Sequence, residues 1–142
     1  MTDGKGRVLA VELTAGQCHD STQFEAVMDG VSIPQRRGRP RRRPKAASAD
    51  KGYSYPRIRL WLRNHHIKDV IPRRDDQRKD PGQATGKFDR QLYRRRSVVE
   101  QCIGWLKECR RIGTRFEKLA ISFRAMLQLA IIQQYLRAEF GH

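Results

Sequence analysis

The sequence predicts an α/β fold, a short mixed sheet with flanking helices, and three observations predict it. Ala46 to Ala49 is a short apolar run that ends in an acid, Asp50, and is followed at once by Gly52 and a helical pattern. A second short apolar stretch, Val70-Ile71, closes that pattern, giving the strand–helix–strand order of an α/β unit. Beyond residue 88 the apolar spacing is helical to the end of the chain, which supplies a covering layer. A chain of 142 residues has room for one domain with a modest core.

Each element has a local reason. Asp3-Gly4-Lys5-Gly6 is turn chemistry, with Asp3 as a turn residue, and Val8 to Leu13 after it has strand character. A hairpin needs a strand on both sides, yet only two residues precede this turn, so the sheet is expected to lack its first strand. His19 to Glu25 reads as a helix start, with Thr22 and Glu25 spaced as a capping box and Phe24, Val27 and Met28 at helical spacing before Gly30. Arg36 to Lys45 holds seven basic residues in ten and no acid. It cannot pack a core and is expected to be an exposed loop. Ser54 and Pro56 mark the start of a helix carrying Ile58, Trp61, Leu62 and His65. Residues 73–88 are polar and contain Gly and Pro, hence a loop; a long helix is expected from Asp89 to about Arg110 and another from Leu119 to Phe140. The expected parts of the single domain are 1–35, 36–45, 46–72, 73–88 and 89–142.

Charge decides the partner class. Thirty Lys and Arg stand against 15 Asp and Glu, a net charge of +15, and such an excess in a short chain calls for a polyanion. A membrane is set aside, because no apolar run approaches the roughly 18 residues of a spanning helix. The opening residues also lack the charged-then-apolar order of a signal peptide. Cys18, Cys102 and Cys109 have no paired metal-ligand spacing and read as reduced thiols of a cytoplasmic protein, the last two packing on the side of their helix away from Glu100.

The informative segment runs from Tyr93 to Lys107. At about 100° per residue, Tyr93, Arg96, Glu100 and Lys107 share one polar stripe about 60° wide, with Leu92, Val99, Ile103 and Leu106 beside it. Glu100 is thereby placed at the edge of the core. A Glu with Arg at i−4 and Lys at i+7 is, on geometry alone, most simply a solvated salt-bridge face. Asp50 has a bland reading too, as a turn or capping residue, but an acid at the end of a strand before Gly and a helix also stands where α/β folds place their sites. Two carboxylates on separate elements suit a divalent cation that takes hard oxygen ligands and keeps several waters, as Mg²⁺ does.

These residues resemble a known family. Tyr93, Arg96, Glu100 and Lys107, with two, three and six residues between them, match the Y-x2-R-x3-E-x6-K motif around the catalytic Glu of bacterial insertion-sequence DDE transposases. Ala49-Asp50-Lys51-Gly52-Tyr53 resembles that family's A-D-[KR]-G-Y segment around the second catalytic Asp. Gly16 to Ser21, Val70 to Arg74 and Arg111 to Lys118 also look like family segments, in the family's order.

The resemblance implies a ribonuclease-H-like fold that is partial here, Mg²⁺ (or Mn²⁺) dependence, and DNA cleavage and strand transfer at insertion-sequence ends. By it, Asp50 and Glu100 are catalytic metal ligands. Tyr93, Arg96, Lys107 and Lys51 contact DNA or orient Glu100; apart from the resemblance, the charge density of Arg36, Arg37, Arg39, Arg41, Arg42 and Arg43 favours contact with the DNA backbone over the plainer reading of solvated surface. Its partners would be double-stranded DNA, both ends and target, together with an upstream-frame transposase segment and a second copy in a homodimer. The setting would be the bacterial cytoplasm near the nucleoid. The family's first catalytic Asp lies upstream of the hairpin, so the chain is expected to hold two of three carboxylates. The alternative is a truncated, inactive DNA-binding relic or regulator of the full-length enzyme.

Overall fold

The computed structural model describes residues 1–79, 88–114 and 117–140. The strand–helix–strand unit forms as its spacing predicts. Strands β1 (Ala46–Ser48) and β2 (Lys68–Val70) pair in parallel, with Ala46 opposite Lys68 and Ser48 opposite Val70. The crossover between them carries a 3₁₀ turn at Lys51–Tyr53. A helix, Pro56–Asn64, follows that turn. Pro56 opens that helix because its fixed φ suits the first turn and its missing N–H has no partner there. Ile58 and Leu62, one turn apart, point inward and are fully buried.

A polar lock closes the same unit. The buried Ser54 hydroxyl lies 2.6 Å from Gln77 Oε1, and the Gln77 amide returns to the Ser54 carbonyl at 2.7 Å. Arg59 donates to Ser54 Oγ at 2.8 Å, to the Ile71 carbonyl at 3.1 Å, and pairs with Asp69. Each buried polar group is thereby satisfied, which low-dielectric burial demands.

The sheet holds two parallel strands among the described residues, so it is not the mixed sheet the sequence suggests. Val8 to Leu13 makes a single antiparallel bridge, Thr2 to Val8, with Asp3 N–H on the Arg7 carbonyl and Leu9 N–H on the Met1 carbonyl, both at 2.9 Å. The turn itself is as read: the Asp3 carboxylate accepts from Lys5 N–H (2.8 Å), Arg7 N–H (3.0 Å) and the Arg7 side chain (2.7 Å). Gly6 supplies the positive φ of 81°.

With helices counted from the amino end, α1 is Phe24–Asp29 and the Pro56–Asn64 helix is α2. The expected capping box does not form ahead of α1. A 3₁₀ turn, Asp20–Gln23, comes first, and the ring of His19, not Thr22, accepts from Ser21 N–H at 3.2 Å. Thr22 bonds back to the His19 carbonyl, and Glu25 reaches Arg57 on α2 at 3.4 Å.

The single long helix expected from Asp89 is instead three: α3 (Arg90–Arg94), α4 (Ser97–Glu108) and α5 (Arg110–Gly113), followed by α6 (Ala120–Phe140). Asp89 caps α3 through Leu92 N–H (2.9 Å) and pairs with Lys68 of β2 at 2.7 Å, so α3 is tethered to the sheet. α4 packs elsewhere, and tightened i→i+3 bonds at Arg95 and Arg96 turn the chain between the two anchors. Cys109, extended at ψ 100°, ends α4. An added Cβ at Gly113 would collide with the Lys107 carbonyl, which lets α5 fold back on α4 only with glycine there. Of the expected loop 73–88, residues 80–87 lie outside the described residues, as do Arg115 and Phe116 of the Arg111–Lys118 segment.

Burial is divided between two clusters. Phe24, Met28, Ile58, Leu62, Ile67 and Ile71 form one, under the sheet; Ile112, Leu127 and Ala130 form the other, between α4, α5 and α6. The opening segment touches both, Met1 packing on the first and Val11 and Leu13 on the second. Two further bonds hold it: Tyr135 Oη donates to the Val8 carbonyl (2.8 Å) and Gln134 to the Gly6 carbonyl (3.1 Å).

Burial works to raise the Asp3 carboxyl, but the Lys5 and Arg7 amides and the Arg7 guanidinium outweigh it and hold the group below its ordinary 3.8. A carboxyl lowered in the folded state adds stability above the unfolded value, and that share is lost as pH falls below 3.8 toward the folded one. Because the Arg7 side of the pair is 40% exposed, the share is about 0.5 kcal/mol. Asp3→Asn is therefore expected to flatten the acid limb of a urea-midpoint against pH curve; identical limbs would show that the turn carries no linked stability.

Candidate functional site

Asp50 stands just past the carboxyl end of β1, where the crossover begins. Its side chain is exposed and accepts from Gly52 N–H at 2.8 Å, which makes it the cap of the 3₁₀ turn. Tertiary contacts hold that turn in place. Arg74, arriving from beyond β2, donates to the Lys51 carbonyl at 3.2 Å and lays its guanidinium 4.5 Å from the centre of the Tyr55 ring. His19 meets Tyr55 edge-on at 6.0 Å. Burial, with Asp20 and Asp50 nearby, pushes the Tyr53 hydroxyl above its ordinary value. Asp20 and Asp50 therefore face one tyrosine from separate elements.

Neither Asp20 nor Arg74 stands out in the sequence as a neighbour of Asp50. The signal that could have found them is that both lie in segments resembling the family, Gly16 to Ser21 and Val70 to Arg74. Lys51 itself is exposed beside Asp50.

Glu100 sits in the first turn of α4, where a carboxylate complements the helix dipole. Its side chain is 63% exposed and pairs with Arg96 at 2.7 Å. Arg96 in turn lies 5.8 Å from the centre of the Tyr93 ring, which packs against Phe88 at 5.4 Å. Tyr93, Arg96 and Glu100 thus form a chain of contacts across the α3–α4 junction, not one stripe of a straight helix. Lys107 is exposed in the last turn of α4.

The predicted apolar stripe is displaced. Cys102 is the buried residue of α4, with Trp105, Leu106 and Cys109 beside the second cluster, while Ile103 is 46% exposed. The bend at Arg95 and Arg96 rotates α4 relative to a wheel drawn from Tyr93. Cys102 and Cys109 pack as expected.

The two carboxylates stand on elements that pack on different clusters, Asp50 next to Ala49 at the first and Glu100 on α4, whose Trp105 and Leu106 pack on the second. Among the described residues no group of three or more His, Cys, Asp or Glu side chains is placed to hold a metal ion. Asp50 and Glu100 supply the hard oxygen donors that Mg²⁺ takes. Their present partners are a backbone amide and an arginine, and they do not make up a three-carboxylate set, so the arrangement as it stands does not fit the ion.

The basic loop lies where its composition predicts. Arg36, Arg37, Arg39, Arg41, Arg42 and Arg43 are all exposed. Its base is pinned by Ile33 and Arg41, which exchange N–H···O bonds of 3.0 and 2.8 Å. No helix among the described residues is long and apolar enough to cross a membrane.

Comparisons with known proteins bear on this arrangement. The family described as Transposase DDE domain matches residues 1–133. A protein of Burkholderia cepacia described as a candidate transposase for insertion sequence element IS402 is 37% identical over 130 residues, covering 91% of this chain. The chain spans 57% of that relative's length. No solved structure matches the chain.

The Arg96–Glu100 pair is exposed at the carboxylate end, so its coupling in the isolated chain is expected to be no more than about 0.5 kcal/mol. A double-mutant cycle with Arg96→Ala and Glu100→Gln, read by chemical denaturation, measures it. A coupling several times larger would mean that Glu100 is held for the fold.

Proposed function

The chain belongs to the DDE transposase family, and on that premise we propose that it serves DNA transposition as the carboxy-terminal catalytic portion of an insertion-sequence transposase, with a ribonuclease-H-like fold. The single observation that carries the finer reading is the contact chain Tyr93–Arg96–Glu100 on an exposed face: the motif's spacing is realised as touching side chains, with the carboxylate open to solvent. The proposed chemistry is cleavage and strand transfer at the element's ends, with double-stranded DNA as substrate and target.

In this reading, Asp50 and Glu100 would hold Mg²⁺ only once a rearrangement brought them together with a third carboxylate, and the ion would then supply charge stabilisation for phosphoryl transfer. What this chain's own residues do is separate. Arg96, already poised on Glu100, orients that carboxylate and can exchange it for a phosphate oxygen, since a guanidinium pairs with either. Lys107 and Lys51 place further positive charge near each acid. The six loop arginines grip the backbone, each contact releasing condensed counterions. An upstream-frame segment and a second copy of the chain are the proposed protein partners.

In an assay on insertion-sequence ends with Mg²⁺ and an upstream segment supplying the third carboxylate, Glu100→Gln and Asp50→Asn are each expected to slow cleavage more than about 100-fold, since even outer residues of a metal site cost 10- to 100-fold. Cleavage at the unaltered rate would remove both from the site. Binding without any cleavage, in the unaltered protein, would leave the chain as the DNA-holding relic or regulator.

Replacing Arg41, Arg42 and Arg43 with Ala is expected to reduce the slope of log affinity against log salt by about 2 to 3, roughly one per lost phosphate contact. An unchanged slope would make the loop a bystander.

A further inference from the structure

A cavity of about 220 Å³ opens between the end of α1, the basic loop and the end of α2, lined by Met28, Asp29, Arg42, Arg43, Trp61 and His65. Drug-sized ligand pockets run to roughly 300–1,000 Å³, so this one has room for little more than a single ring system. Its floor is an aromatic stack. The rings of Trp61 and His65 lie 3.8 Å apart and 19° from parallel. Phe24 stands perpendicular to the indole at 5.7 Å and fixes it from the core. His65 Nδ1 lies 2.8 Å from the Trp61 carbonyl, which can only accept, so Nδ1 carries the proton and the imidazole is held in one orientation.

Charges of both signs flank the floor. His65 caps the carboxyl end of α2, where helix carbonyls leave partial negative charge, and Asp29 adds a carboxylate at the end of α1. That end repels a phosphate and accepts amino hydrogens. Arg42 and Arg43 supply the opposite sign. They are not on a free tether: Arg41 is bridged to Ile33 on one side, and the Lys45 carbonyl accepts from Lys68 N–H at 3.0 Å on the other. A phosphate alone would meet the arginines and gain nothing from the rings. An aromatic side chain would use the rings and leave the arginines idle. A nucleotide uses both.

Building on the DNA-binding reading, we propose that this cavity is a site for one unpaired nucleotide of a DNA strand. Its base lies against the imidazole–indole stack, its exocyclic amine donates to Asp29, and its phosphate is held by Arg42 and Arg43. Base–aromatic stacking tolerates every base because each has a π-face, whereas the carboxylate favours bases with an amino group over thymine.

The test is fluorescence anisotropy of the full chain with three labelled probes of equal length: oligo-dC, oligo-dT and a fully paired duplex. The expected order for single strands is dC above dT. His65→Ala is expected to weaken oligo-dC about tenfold, the scale of one lost stack, and to leave the duplex unchanged. His65→Phe, which restores a ring, should recover most of the loss, and Asp29→Asn should bring dC and dT together. Equal losses on strand and duplex, or no loss on either, would overturn the proposal while duplex binding upheld the DNA-binding reading. Failure to bind any probe would overturn both. Free dCMP competing as well as oligo-dC at equal nucleotide concentration would make the ligand a mononucleotide and overturn the strand assignment.

Discussion

The opening residues Met1 to Leu13 are the joint on which the rest of the molecule depends. They are a short segment, yet they touch both apolar clusters, with Met1 on one and Val11 and Leu13 on the other. The carbonyls of Val8 and Gly6 are used by Tyr135 and Gln134 of α6. A helix near the end of the chain is thus hydrogen-bonded to a hairpin at its beginning. Without those bonds, the contacts left between the strand–helix–strand unit and the helical half would include the Lys68–Asp89 pair, whose lysine is more than half exposed and whose worth is correspondingly small.

How far the sequence reveals this architecture follows from how local each cause is. The strand–helix–strand unit was legible because Asp50, Gly52 and Pro56 act within a few residues of themselves. The basic loop was legible because seven cations in ten residues have nowhere to go but solvent. The break at Arg95 and Arg96 was not, since the pattern runs through it unbroken. It arises because Lys68, more than twenty residues earlier, holds Asp89 while α4 packs on a different cluster. The same bend explains why Ile103 faces water and Cys102 does not. His19 displaced Thr22 as a cap for an equally non-local reason, its ring also packing against Tyr55.

The candidate site divides along the same line. Of the four residues spaced as the family motif, Tyr93, Arg96 and Glu100 are in contact, while Lys107 is exposed at the far end of α4. The neighbourhood of Asp50 was readable only in part. Asp20 and Arg74 reach it through folding, one by way of Tyr53 and the other by way of Tyr55 and the Lys51 carbonyl. Among the described residues, Asp50 and Glu100 are not drawn into one three-carboxylate cluster. The joint between the halves is where such a rearrangement would have to act.

The density of arginine on the loop has a consequence for the folded state itself. A net charge of +15 on a chain of this size sets the compact form against its own field, and that cost falls as ions gather round it. Added salt therefore favours compactness while it weakens any hold on a polyanion. A polyanion resolves the conflict, because it neutralises the loop where it binds. Whatever binds only the compact form also deepens its free-energy well. For this molecule a bound polyanion is then also its most effective counterion, and folding and polyanion binding become two readings of one equilibrium.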